Sequence, residues 1–207
     1  MPRAVRAVVV VLAVVGVVVT IVVSRHTTAR SVSQAVSARP PKIANERDLP
    51  VLGAGPAPSI EGAAAWLNTP GLTDPDLLGK VVLYDFWTYA CINCRHTLPH
   101  VKAWQQRYAN EGLVIVAIHS PEFAFERVAQ NVADFVDENE ITYPVALDPD
   151  RNVWKAWDNH YWPAFYLYDK QARLRVMHFG EGSYDTTEDA IRVLLDVDPL
   201  SRRAAVS

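Results

Sequence analysis

Cysteine is scarce in this sequence, whose 207 residues include only Cys91 and Cys94. Two cysteines are too few to staple a small disulfide-rich fold, so apolar burial has to hold the core together. Half of the residues are apolar, which is enough for one domain with a substantial core. These figures predict one globular domain with additional segments around it.

The sequence also lacks an excess of charge of either sign. Lys and Arg total 20 and Asp and Glu total 23, so the formal net charge is −3. No basic stripe runs through the body of the chain, and we therefore expect no nucleic-acid partner. The sequence has no internal repeat either, which argues against a repeat architecture.

One long apolar run stands near the N-terminus. Residues 7–23 contain neither a charge nor a proline, and a helix of this length reaches about 25 Å, enough to cross a bilayer core. A cleaved signal peptide is the alternative, although its apolar region is usually shorter. We expect a single-pass membrane anchor at 7–23, with residues 1–6 in the cytoplasm. The basic residues on the two sides balance, but a short leading tail usually stays inside, which places the body outside the cytoplasm.

The remaining chain divides by composition and periodicity. Residues 24–58 are rich in Ser, Thr, Ala, Arg and Pro, which predicts a flexible tether before a domain at 59–198 and a tail at 199–207. Near-continuous apolar runs at 80–87 and 112–120 predict buried strands. Helical patterns follow at 92–110, with a kink expected at Pro99, and at 122–140. A hairpin at 163–180 and a last helix at 186–196 complete an α/β sandwich around a mixed sheet.

The cysteines form a Cys-x-x-Cys pair at the junction of a predicted strand and a predicted helix. Free N–H groups and the helix dipole favour an anion at Cys91, which we expect to be the attacking thiolate. Cys94 lies one turn further on, placed to close a disulfide. Two alternatives stay open: inert buried thiols, and a zinc site. Zinc would need further ligands such as His96, His100 or His119, although no second paired motif is present.

Asp85 is a carboxylate within an apolar strand. Burying such a group is costly unless it has a partner or a task, and burial is expected to raise its pKa. Six residues ahead of Cys91, it is placed to lie beneath Cys94 and to accept its proton. The alternative is a carboxylate at the rim of the strand, bonded to solvent or to a backbone N–H.

The segment VVLYDFWTYACINCRHTLP resembles the active-site segment of the thioredoxin superfamily. Asp85, Trp87, Cys91, Cys94 and Pro99 match its buried acid, its aromatic cover, its two thiols and its helix-kinking proline. Further on, YWPAFYLYD matches the strand that opens with a cis-proline beside the active site. The insertion at 122–140 resembles the membrane-anchored TlpA/ResA branch. The segments CINC, SPEFAFE, ITYPVALD, YWPA and FGEGSYD most resemble the thioredoxin-like (redoxin) domain of DipZ proteins.

The resemblance implies a thioredoxin-like fold, with a mixed central sheet and flanking helices, and a thiol–disulfide oxidoreductase that uses no cofactor. It assigns catalysis to Cys91, Cys94 and Asp85, and substrate binding to Trp87, Trp162 and Pro163. With a cis bond before Pro163, the backbone of Trp162 would face the thiols and pair with a substrate segment. The alternative is a trans proline at an edge strand, with Trp162 in the core.

The sequence departs from the family at several positions. Ala90 stands where thioredoxin has a Trp before its first cysteine, and Ile92-Asn93 separates the thiols. The multi-span domain that precedes the DipZ domain is replaced here by one apolar run. Because the central dipeptide tunes thiol reactivity, the direction of electron flow does not carry over from any one relative.

The favoured hypothesis is a membrane-tethered, extracytoplasmic reductase of disulfides in exported proteins, supplied with electrons by a membrane donor of the CcdA or DipZ type. A peroxidase is one alternative, because Thr88 stands three residues before Cys91 as in peroxiredoxins, although Tyr84 replaces the proline of their motif. The other alternative is a binding module with idle cysteines, since fold alone does not prove activity.

Overall fold

The computed structural model describes residues 43–197. The expected anchor at 7–23 and tail at 199–207 lie outside the described residues. Between residues 43 and 197, no helix combines the length and the apolar character needed to cross a bilayer.

In the part of the chain that the structure describes, six strands form one mixed sheet. They are β1 Ala65–Leu67, β2 Val81–Trp87, β3 Leu113–His119, β4 Val145–Leu147, β5 Ala164–Tyr168 and β6 Leu174–Phe179. Their spatial order is β1-β4-β3-β2-β5-β6. Strands β2, β3 and β4 run parallel, whereas β1, β5 and β6 each run antiparallel to a neighbour. The predicted mixed sheet and C-terminal hairpin are confirmed, while β1 was too short to leave a pattern in the sequence.

Within residues 43–197, four α-helices flank the sheet: α1 Ile92–Tyr108, α2 Ala129–Glu138, α3 Asn152–Ala156 and α4 Tyr184–Leu195. Helix α1 continues through Pro99 as one element. The expectation of a helix starting at 122 is wrong, because residues 124–127 form a separate 3-10 turn. There Glu126 turns inward and binds backbone N–H groups, while Phe125 and Val128 are half exposed.

Strand β2 is buried along its whole length and separates two cores. Val81, Leu83 and Trp87 contribute to the core beneath α1, α2 and α4. Val82, Tyr84 and Phe86 face the opposite core, with α3. This alternation, which is the ordinary period of a strand, puts Asp85 on the α1 side of the sheet.

The expected tether is wrong for residues 43–58, which associate closely with the domain. Ile43 and Leu49 are buried in the α1-side core. Gly53 and Leu174 form a β-bridge. The guanidinium of Arg175, only 3% exposed, donates to the carbonyl oxygens of Glu46, Leu49 and Pro50 and also binds the carboxylates of Asp169 and Glu46. This segment therefore packs on the domain and supplies backbone carbonyls and one carboxylate to a buried arginine, instead of forming a flexible tether.

We predict that Arg175→Met lowers the free energy of unfolding by about 3 kcal/mol or more. The substitution leaves the buried Asp169 carboxylate with Arg173 as its remaining charged partner and removes the charged donor from three carbonyls. Breaking a buried ion pair typically costs about 3–5 kcal/mol. Urea denaturation measures this. Arg127→Met is the matched control, because Arg127 and Asp150 form an exposed pair at 3.8 Å whose loss should cost less than about 1 kcal/mol. Equal losses of unfolding free energy in the two variants would contradict the stabilising role given to Arg175.

Candidate active site

The two cysteines lie where β2 gives way to α1. Strand β2 ends at Trp87, residues 88–90 form a turn, and Cys91 is the N-cap of α1. The first backbone N–H groups of a helix lack intrahelical partners and are free to meet an anion. Cys91 is partly exposed and Cys94 is buried, and both thiols are free. The predicted strand-to-helix placement is confirmed, and the exposed cysteine is the one at the helix end.

Cys94 resists ionisation. Burial raises the pKa of its thiol far above the ordinary value, and the neighbouring Cys91 and the charge of Asp85 act in the same direction. The backbone N–H of Thr88 faces the Cys94 thiol and favours its thiolate. Cys94 is therefore a poor nucleophile unless a nearby base removes its proton.

Asp85 is a candidate for this base, because it is buried on the same side of the sheet as Cys94. It is 4% exposed, and its Oδ1 has no hydrogen-bond partner among the described residues. Burial raises its pKa to about 8. The alternative of a solvated carboxylate at the strand rim is therefore wrong. Its part in proton transfer remains a prediction, and a base with a pKa close to neutrality suits that task.

The loop before β5 forms one wall beside this region. The Trp162–Pro163 peptide bond is cis, as predicted. The indole N–H of Trp162 donates to the carbonyl of Ser120 at 2.9 Å, and the ring lies against Trp154 with centroids 4.2 Å apart. Arg151 covers the ring at 4.8 Å. Trp162 is thus half buried and held in place, and its contact with a substrate remains a prediction.

Trp87 does not lie where a substrate could reach it. It is 6% exposed and packs edge-on against His119 with ring centroids 5.1 Å apart, and against Phe135 at 5.7 Å. The alternation of β2 turns its side chain into the core beneath the helices. The expectation that Trp87 binds substrate is therefore wrong.

The histidines proposed as zinc ligands have other contacts. His96 Nδ1 lies 2.8 Å from a carboxylate oxygen of Glu181, and His100 stacks on Tyr184 with centroids 3.6 Å apart. Within residues 43–197, no three His, Cys, Asp or Glu side chains come close enough together to hold a metal ion. The arrangement favours the use of the cysteines as a thiol pair.

Sequence reasoning missed Glu126. This residue is 1% exposed, and its carboxylate accepts hydrogen bonds from the Thr88 hydroxyl and from the backbone N–H groups of Ala90, Glu122 and Phe123. Burial alone would raise its pKa, but these hydrogen bonds outweigh burial and hold the pKa below its ordinary value. The only signal was an acidic residue directly after two nearby phenylalanines in SPEFAFE, a segment that overlaps the helix predicted at 122–140.

His119 belongs to the same buried cluster. Its Nε2 lies 3.3 Å from the Thr88 hydroxyl, and its ring stacks on Tyr89 at 5.6 Å. Burial lowers its pKa to about 4, although the charge of Glu126 acts against this, so the imidazole is neutral at neutral pH. The side chain of Glu122 is exposed, and its backbone N–H donates to the Glu126 carboxylate.

Known proteins are similar to this chain in sequence and fold. The sequence profile of the AhpC/TSA family matches residues 55–177. Protein DipZ of Mycobacterium tuberculosis is 48% identical over 145 residues, which are 69% of this chain and 21% of DipZ. The thiol-disulfide oxidoreductase YkuV of Bacillus subtilis is 31% identical over 145 residues, 69% of this chain and 97% of YkuV.

Among solved structures, an oxidised thioredoxin-like protein in solution superposes with a TM-score of 0.63 at 30% identity, covering 70% of this chain and 98% of its own. The chain spans about a fifth of the length of DipZ. The thioredoxin-like fold and the resemblance inferred from the sequence are confirmed.

We predict that Asp85→Asn stabilises the reduced protein increasingly as pH rises. Between about pH 4 and 8 the folded state keeps a proton on Asp85 that the unfolded state releases, so the parent loses stability with rising pH. The variant should gain up to about 1.4 kcal/mol on the parent for each pH unit in that window. Denaturant titrations across the window measure this. The exposed Asp137→Asn should show no such trend, and a gain that does not vary with pH would contradict a buried, protonated Asp85.

Proposed function

We propose a membrane-tethered, extracytoplasmic reductase role for this chain, which belongs to the AhpC/TSA family and is a thiol–disulfide oxidoreductase of thioredoxin fold. The observation that carries the proposal is the ordering of three groups. Cys91 is accessible at a helix N-terminus and Cys94 is buried one turn further on. Asp85, whose Oδ1 has no hydrogen-bond partner among the described residues, lies on the same side of the sheet.

In the proposed reaction, the Cys91 thiolate attacks one sulfur of a substrate disulfide. The substrate S–S bond breaks, one substrate sulfur leaves as a thiolate, and the other becomes bonded to Cys91. In molecules whose Asp85 is ionised, Cys94 then gives its proton to this carboxylate and attacks the Cys91 sulfur, which releases the second substrate thiolate. Two electrons pass from the dithiol to the substrate, and the protein is left with a Cys91–Cys94 disulfide.

The membrane part of the proposal rests on the apolar run at 7–23, which is long enough to cross a bilayer. Placed outside the cytoplasm, the thiol pair would meet disulfides in exported proteins. Each turnover leaves the pair oxidised, so an electron donor at the membrane, of the CcdA or DipZ type, would have to restore the dithiol.

The geometry disfavours the peroxidase alternative. That hypothesis requires the Thr88 hydroxyl to act on a peroxide bound at Cys91. The residue is fully buried, and its hydroxyl donates its hydrogen to Glu126. The hydroxyl therefore has no hydrogen left to donate to a peroxide.

We predict different failures for the two single-cysteine variants. Cys91→Ser should lose the reduction of protein disulfides, roughly 100-fold or more, because no nucleophile remains at the accessible position. Cys94→Ser should accumulate a covalent mixed disulfide with the substrate, because the resolving thiol is gone. Insulin reduction driven by dithiothreitol measures the first effect, and intact-mass spectrometry detects the second. A Cys91→Ser variant as fast as the parent would rule out the mechanism.

We also predict that alkaline phosphatase fused after residue 197 is active in cells. This reporter needs disulfides that form outside the cytoplasm, so activity marks the side on which the domain lies. A matched fusion that lacks residues 1–23 should be inactive. An inactive full-length fusion, present at the same level by immunoblot, would place the domain in the cytoplasm and overturn this part of the proposal.

A further inference from the structure

We infer that Glu126 is a positioning residue for the second half of the exchange reaction: its carboxylate holds the turn at residues 88–90 so that the buried Cys94 can resolve the mixed disulfide. The inference rests on the proposed function and deepens it. It concerns a residue more than 30 positions from the thiols in sequence, which does not react itself.

The carboxylate joins two separate segments of the chain. One oxygen, Oε1, accepts from the Thr88 hydroxyl and from the Ala90 N–H at 3.0 Å. The other, Oε2, accepts from the N–H groups of Glu122 and Phe123, both at 2.8 Å. A buried carboxylate is tolerated when both oxygens have donors, and hydrogen bonds to a charged acceptor are about twice as strong as neutral ones. Glu126 therefore fastens the 88–90 turn to the loop at 122–126.

The fastened turn contacts both cysteines. The Cys91 N–H donates to the carbonyl of Thr88 at 3.3 Å. The N–H of the same Thr88 faces the thiol of Cys94 and favours its thiolate. The backbone of Thr88 thus contacts the backbone of Cys91 and the thiol of Cys94, while its side chain is held by Glu126.

The hydroxyl of Thr88 has a defined direction. It carries one hydrogen, which it donates to Glu126, so it can only accept from His119 Nε2 at 3.3 Å. The result is a one-way chain in which His119 donates to Thr88 and Thr88 donates to Glu126. Such a chain fixes the Thr88 side chain more firmly than either bond alone.

We expect loss of the Glu126 hydrogen bonds to slow the reaction of Cys94 rather than that of Cys91. Cys91 is partly exposed at the helix end, where α1 itself supplies N–H groups. Cys94 is buried, and the Thr88 N–H is the contact that favours its thiolate against burial. Releasing the turn removes that contact, so the thiolate that attacks the mixed disulfide becomes harder to form.

The test uses the reduced full-length chain in detergent and the aromatic disulfide dithiobis(nitrobenzoate) as the substrate. Attack by Cys91 releases one coloured thionitrobenzoate and leaves the other bonded to Cys91. Attack by Cys94 on Cys91 releases the second, with its proton passing to Asp85, and forms the Cys91–Cys94 disulfide. Stopped-flow absorbance separates the two releases, so each cysteine's step has its own rate.

Two variants break the hydrogen bonds between Glu126 and the 88–90 turn, and two further variants serve as controls. Glu126→Gln offers one acceptor oxygen for four donors, and Thr88→Val removes the hydroxyl. Glu122→Gln makes the same charge change on an exposed side chain of the same loop, and Thr88→Ser keeps the hydroxyl. We expect the second release to slow about tenfold or more in Glu126→Gln and Thr88→Val, from loss of a charge-assisted hydrogen bond. The first release should change less than about threefold, and both controls should match the parent.

The inference is overturned if Glu126→Gln and Glu122→Gln resolve at the same rate, or if both releases slow equally and Thr88→Ser does not restore them. If Glu126→Gln fails to fold, the Thr88 variants decide: a slow valine variant beside a normal serine variant supports the inference, and two normal variants overturn it. A parent chain that releases only one thionitrobenzoate would instead refute the proposed exchange function.

Discussion

The interior position of Asp85 constrains the chemistry next to it. Burial in the middle of β2 makes its ionised form unfavourable, and the carboxyl holds its proton up to about pH 8. Cys94, buried on the same side of the sheet, resists ionisation as well. When Asp85 is ionised, proton transfer from Cys94 to its carboxylate moves a charge that is already in the core rather than creating a second one. The order of events follows, because the accessible Cys91 can act without this help and Cys94 cannot.

The topology brings the remaining parts to one edge of the sheet. Strands β2 and β3 are parallel, so the turn at residues 88–90 and the loop that follows His119 leave the same edge side by side. Strand β5 runs antiparallel to β2 and starts at that edge, directly after the cis Trp162–Pro163 bond. This edge therefore brings together the two thiols, the buried Glu126 and the Trp162–Pro163 loop that we propose binds substrate.

Features with a local signal could be predicted from the sequence. Continuous apolar runs located β2 and β3, and the position of the cysteines after such a run located the helix start. Long-range partnerships left no such signal. Glu126 and Thr88 are 38 residues apart and Arg175 and Glu46 are 129 apart, so their hydrogen bonds depend on the folded topology. For Trp87 the resemblance misled, because it matched an aromatic cover and suggested contact with a substrate. The alternation of β2 instead places its side chain in the core, on the same side of the sheet as Asp85.

A redox titration of the full-length chain in thiol–disulfide buffers, read by alkylation and mass spectrometry, tests the central claim most directly. The account predicts a reversible two-electron couple between Cys91 and Cys94 with a potential near that of thioredoxin, about −270 mV. A potential near that of a strong oxidant, about −120 mV, would contradict the reductase direction. Failure to form the Cys91–Cys94 disulfide at any buffer potential would contradict the exchange mechanism itself.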